Sequence, residues 1–227
     1  MGTIEDYNRF GDELERLLLL RTSPLAVKML EKEEEIPKDA FRPRRDRGFH
    51  LSQCQAFAMS RRQRITVVML KEDNWCWAPL IAFGLVASQA AEKFEVTRNQ
   101  VKILPRFEYG RYIGIASAPL RTASFEPDLV LIYSNAAQLR SMLLAIKYKE
   151  GILVSAQFDP INSCVYAVVP VMLTDQYCIN LPCAGEQYRA IPGEDELIFS
   201  TPRDKMENFI SELRQAEKMK IGYTYSS

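Results

Sequence analysis

Cys54, Cys76, Cys164 and Cys183 are the residues of this 227-residue chain best placed to do chemistry. Cys76 and Cys164 each follow a short apolar run, with an asparagine two residues earlier (Asn74 and Asn162) that suits the start of a helix. A thiol at such a point meets the positive end of the helix dipole. This lowers its pKa from ~8.5 toward neutrality and favours the thiolate, which attacks electrophiles or binds soft metals. Cys54 stands near the start of a predicted helix, and Cys183 lies in the turn Leu181-Pro182-Cys183-Ala184-Gly185, where a thiol reaches a cleft more readily than a core. These four are the candidate metal ligands, of the type that holds an iron–sulfur cluster or zinc. The fifth cysteine, Cys178, falls in an apolar strand-like run and reads as core. No C-x-x-C pair occurs, so spacing alone names no metal.

Other chemistry is narrower. His50 is the single histidine, which removes most histidine-based zinc sites and leaves one imidazole to act as acid or base near Cys54. The clusters Arg42-Pro43-Arg44-Arg45-Asp46-Arg47 and Arg61-Arg62-Gln63-Arg64 suit an anionic ligand, but a solvated surface explains them more simply. The common dinucleotide, nucleotide, metalloprotease and hydrolase signatures are all missing. No catalytic residue is named.

The elements that must position the thiols follow from periodicity. Thr3 caps a helix to about Leu20, with Tyr7, Phe10, Leu14, Leu17 and Leu18 at helical spacing. Leu25 to Leu30 is a strand, Glu31 to Gly48 a surface loop, Ser52 to Arg61 a helix, Ile65 to Leu70 a buried strand and Trp77 to Ser88 a helix with Pro79 in its first turn. The same order is expected after Pro127: strand Asp128 to Tyr133, helix Ala136 to Tyr148, strand Ile152 to Gln157, and a segment opening at Cys164. Ile113 to Leu120 and Glu194 to Ser200 are further strands, and Arg203 to Lys218 is a closing helix. The expected fold is α/β, a layered sheet with helices in two pseudo-repeated β-α-β-α halves. It forms a single domain over 1–227, with the internal repeat spanning 24–90 and 127–175.

Bulk composition sets the class. Hydrophobic residues make up 47% of the chain and charged residues 26%, enough to build a core, and 29 basic side chains balance 29 acidic ones. Zero formal net charge gives no field to draw nucleic acid or an anionic membrane. The longest apolar run, Ala78 to Ala87, is half of the roughly 20 residues that a spanning helix needs. The start Met1-Gly2-Thr3-Ile4-Glu5-Asp6 has no secretory pattern, so a cytoplasmic location with reduced thiols is expected. A metal or small molecule is the expected partner, and homo-oligomerisation stays open.

Read in order, Ser23-Pro24-Leu25-Ala26-Val27-Lys28, Cys54-Gln55-Ala56, Cys76-Trp77-Ala78-Pro79, Ala118-Pro119-Leu120, Pro127-Asp128-Leu129-Val130, Cys183-Ala184-Gly185 and Asp195-Glu196-Leu197 resemble the archaeal and bacterial family called domain of unknown function 169. The likeness runs from about residue 15 to 215. It implies a cytoplasmic protein of a kind common in anaerobes, with cysteines matching Cys54, Cys76 and Cys183, and it implies no reaction. The family's last motif often continues to an arginine, whereas here Gln187 and Tyr188 stand before Arg189.

Three functions are therefore carried forward. The first is a thiolate site for an iron–sulfur cluster or another thiophilic metal in a redox or accessory role. The second is a non-catalytic small-molecule binding module in which the cysteines are core, with Arg189, Asn74 and Asn162 as ligand-binding residues. The third is a metal-free enzyme with a cysteine nucleophile.

Overall fold

A computed structural model describes residues 2–90, 98–156 and 158–218. Six strands form one sheet: β1 (Leu25–Leu30), β2 (Val67–Leu70), β3 (Gly114–Pro119), β4 (Leu129–Ser134), β5 (Cys178–Asn180) and β6 (Leu197–Pro202). Their spatial order is β2-β3-β1-β4-β6-β5, and every neighbouring pair is antiparallel. The first strand in the chain therefore sits inside the sheet, registered with β3 (Val27 opposite Ser117) and with β4 (Ala26 opposite Val130).

Strands such as Val67–Leu70 and Leu129–Ser134 are buried along their whole length. Apolar side chains on both strand faces require a cover on each side. On one face, Val27, Met29, Val67, Met69, Ile115, Leu129, Leu131 and Ile198 pack with α3 (Gln53–Gln63), α4 (Trp77–Ala82) and α7 (Ser163–Thr174). On the other, Ala26, Val68, Ala116, Val130, Ile132 and Phe199 pack with α1 (Ile4–Leu18), α6 (Ala136–Glu150) and α9 (Met206–Lys218). Shorter helices α2 (Pro43–Arg47), α5 (Arg98–Ile103) and α8 (Ala184–Ala190) complete the set among the described residues, and α8 lies against α3. The α/β class expected from the sequence holds. No helix among the described residues is long and apolar enough to cross a membrane.

Helix starts are chemically marked. The Thr3 hydroxyl accepts from Asp6 N at 3.2 Å while Asp6 returns a bond to Thr3 N, and Asn135 with Gln138 does the same for α6. Gly48 and Gly151 end α2 and α6 in the left-handed region, at φ 72° and 66°.

Two expected elements differ. The helix predicted over Trp77 to Ser88 stops at Ala82, because Gly84 takes φ +71° and its backbone lies so close to Glu108 that a Cβ there would stand 2.4 Å from the carbonyl oxygen. Ile152 to Gln157 forms no strand over its described residues, 152–156. Ile152 and Val154 do pack on the core while Leu153 is exposed, so the alternation is kept without a pairing partner. The second half thus lacks the strand that the pseudo-repeat assigns to it.

Candidate functional site

Four helices on one face of the sheet each begin at a cysteine or within a residue or two of one. Cys54 is the second residue of α3, Cys164 the second residue of α7, and Cys76 and Cys183 are the N-cap residues of α4 and α8. Local bonding ties these starts together. Leu51 N donates to Asp73 O at 2.9 Å and Trp75 N to Leu51 O at 3.2 Å, which lays the approach to Cys54 beside the approach to Cys76. Ala184 N donates to Pro160 O at 3.0 Å, joining the start of α8 to the loop before α7.

Each sulfur has a defined setting. Cys54 Sγ lies 3.1 Å from Ser52 Oγ. Cys76 N donates to Asn74 Oδ1 at 2.9 Å, and Cys76 Sγ accepts from the Ala78 backbone. Cys183 Sγ accepts from Glu186 N at 3.4 Å. Cys54, Cys164 and Cys183 are only 5–7% exposed, and Cys76 is half-buried.

Burial governs their acidity. It pushes the Cys54 thiol up to about 12 against the Ser52 hydrogen bond, and raises Cys76 despite the Ala78 N–H and the nearby Arg189 charge. Cys164 is raised well above the ordinary range, first by desolvation and then by Cys54, Cys76 and Cys183, whose charges oppose its own. Charge on Cys54, Cys76 or Cys183 thus opposes ionisation of Cys164. The lowered pKa expected from the helix dipole is outweighed by loss of water. As they stand, no three His, Cys, Asp or Glu side chains among the described residues are grouped to hold a metal ion.

Behind the thiols runs a buried polar network that the sequence did not disclose. Glu186 accepts from Tyr133 Oη at 2.7 Å and Ser163 Oγ at 2.6 Å, and desolvation raises its pKa. Arg61, 1% exposed, pairs bidentately with Glu196 at 2.9 Å for each bond, and its guanidinium lies 3.8 Å from the centre of the Tyr133 ring. Arg61 was expected in a solvated basic cluster and is instead core. Arg61 shares a helix face with the buried Cys54 and Phe57, but that spacing does not name the partners a buried charge needs.

The remaining expectations divide. Asn74 supports Cys76 through its backbone, whereas Asn162 stands at the N-cap position of α7 with no side-chain cap bond and donates to Asp159 at 3.2 Å. Arg189 lies 4.5 Å over the Trp75 ring. His50 is exposed and is not among the groups acting on Cys54. Arg42 pairs with Glu72 and Asp73, and Arg45 with Asp46, so much of that cluster is spent locally. Gln53, beside Cys54 and 1% exposed, has no partner among the described residues for either amide atom, and Asn74 Nδ2 is likewise unpartnered among them.

Fold and site define an α/β protein with an antiparallel sheet and four helices that start at or beside a cysteine. The family model DUF169, described as uncharacterised ArCR, matches residues 13–212, and the chain belongs to this family. No curated protein and no solved structure matches it.

Proposed function

We propose that Cys54, Cys76, Cys164 and Cys183 bind a thiophilic metal centre in a redox or accessory role, and that an iron–sulfur cluster suits them better than a single zinc ion. The observation that carries this reading is the placing of four cysteines at helix starts tied in pairs by the Leu51–Asp73, Trp75–Leu51 and Ala184–Pro160 backbone bonds. Four reduced thiols on four separate helices, with Cys54, Cys76 and Cys164 held protonated by burial, need a cation to become thiolates together. One zinc ion demands all four sulfurs at ~2.3 Å, a tighter set than these side chains form. A cluster spreads its thiolates over several irons and accepts a wider set. The N–H groups of Ala78 and Glu186 on Cys76 and Cys183 are the kind of hydrogen bonds to sulfur that tune such a centre. Free thiols also suit the reducing cytoplasm.

The test is iron and labile-sulfide analysis with a visible spectrum on protein purified without oxygen. Iron, sulfide and broad absorbance, lost in Cys76→Ser and Cys164→Ser, are the expected result. A colourless, metal-free protein would instead favour the second reading, a small-molecule binding module, for which the unpartnered amides of Gln53 and Asn74 speak. A metal-free nucleophile is the weakest of the three readings, since burial raises the half-buried Cys76 rather than activating it.

A further inference from the structure

We propose that Gln53, Asn74 and Arg189 form an oxyanion subsite beside Cys76, taking a small carboxylate or phosphate that carries a hydroxyl next to its charged group. The subsite shares its location with the thiol site but does not depend on a bound metal.

The argument begins with unmade hydrogen bonds. Gln53 is the first residue of α3, 1% exposed, and both atoms of its amide lack a partner among the described residues. Asn74 is 5% exposed; its Oδ1 holds the Cys76 N–H while its Nδ2 has none. A buried polar atom left unpaired costs about 1–3 kcal/mol, and folded proteins seldom carry several side by side without a ligand or ion to meet them. The pairing of Leu51 with Asp73 and Trp75 sets these two amides on adjoining segments.

The local charge has the matching sign. Gln53 opens α3, a helix of 11 residues, and such an N-terminal end favours anions. Arg189 is exposed, acts on Cys76 and is held over Trp75, and among the described residues it pairs with no carboxylate. Gly185 makes room for it, since a Cβ there would stand 2.6 Å from Arg189 Nη1. Contact with the Trp75 ring holds the guanidinium here, with its fork of donors suited to a planar or tetrahedral oxyanion.

The donor and acceptor pattern narrows the ligand. Asn74 Nδ2, Gln53 Nε2 and Arg189 donate, which calls for anionic oxygens. Gln53 Oε1 only accepts, which calls for an O–H on the same molecule. Hydrogen phosphate and 2-hydroxycarboxylates meet both demands, whereas acetate meets one.

The test uses the reduced, metal-free full chain, labelled with nitrogen-15, and follows the side-chain amide signals of Gln53 and Asn74 during titration with phosphate, lactate and acetate. Phosphate or lactate should shift both signals saturably with a Kd of about 1 mM or tighter, acetate more weakly. Arg189→Met should weaken that binding about tenfold. Gln53→Leu should abolish the binding while raising the Tm of the ligand-free protein, because it removes an amide with no partner. Phosphate and lactate leaving both signals still would overturn the subsite. So would binding undiminished in Arg189→Met, or a lowered Tm in Gln53→Leu, which would mean that the amide serves the fold. Metal content is measured separately, so loss of the metal reading leaves these outcomes intact.

Discussion

Cys178 differs from the other four cysteines in what its thiol does. It donates to Tyr166 O at 3.3 Å, a carbonyl that α7 cannot satisfy because Pro170, four residues on, has no N–H. The thiol thus repairs a gap in a helix. Cys178→Ala should cost about 1 kcal/mol in urea denaturation, and Cys178→Ser, which keeps a donor, measurably less. Equal losses in the two variants would show that only volume matters there. Cys178 packs half-buried against the core, in line with its apolar neighbours, although the hydrogen bond could not be read, since it depends on Pro170, eight residues earlier, leaving the Tyr166 carbonyl without a helical donor. That Cys54, Cys76, Cys164 and Cys183 stand at or next to helix starts was legible, because each follows a turn or strand end in the sequence. Arg61 and Glu186 were not legible: a charge is read as solvated unless its partners are known, and Glu196 and Tyr133 lie far along the chain.

Between elements, the Arg61 pair joins α3 to the entrance of β6, and the stack on Tyr133 adds β4. Removing one partner leaves a buried charge alone, so Arg61→Leu should destabilise the protein by about 3–5 kcal/mol. The double variant Arg61→Leu with Glu196→Leu should recover a large part of that loss in chemical denaturation. A single variant that unfolds at the wild-type midpoint would refute the assignment. Boundaries followed the strength of local chemistry. β1 was read to the residue, because Pro24 precedes it and a charged stretch follows, and α1 was read from its Thr3 cap. Ile152 to Gln157 was misread because alternation is necessary for a strand and pairing is a separate condition, one that no local pattern reports.

For the molecule as a whole, buried thiols make stability depend on alkali. Unfolded cysteines ionise near ~8.5, while folded Cys54, Cys76, Cys164 and Cys178 are all raised by burial. Above the unfolded value the native state holds more protons than the unfolded state, so stability, complete below it, declines as pH rises. The Tm of reduced, metal-free protein should fall between about pH 8 and about pH 10, and the fall should be shallower in Cys54→Ser/Cys164→Ser. A Tm that stays level over that range would contradict the burial assigned to the thiols. The sheet order carries a different consequence, for synthesis. Leu25–Leu30 is made early yet lies between β3 and β4, which begin at Gly114 and Leu129. At roughly 5–20 residues per second on the ribosome, this apolar strand waits on the order of ten seconds with neither neighbour yet made. That interval is when the nascent chain is most exposed to aggregation, and when a chaperone would have the most apolar strand to hold.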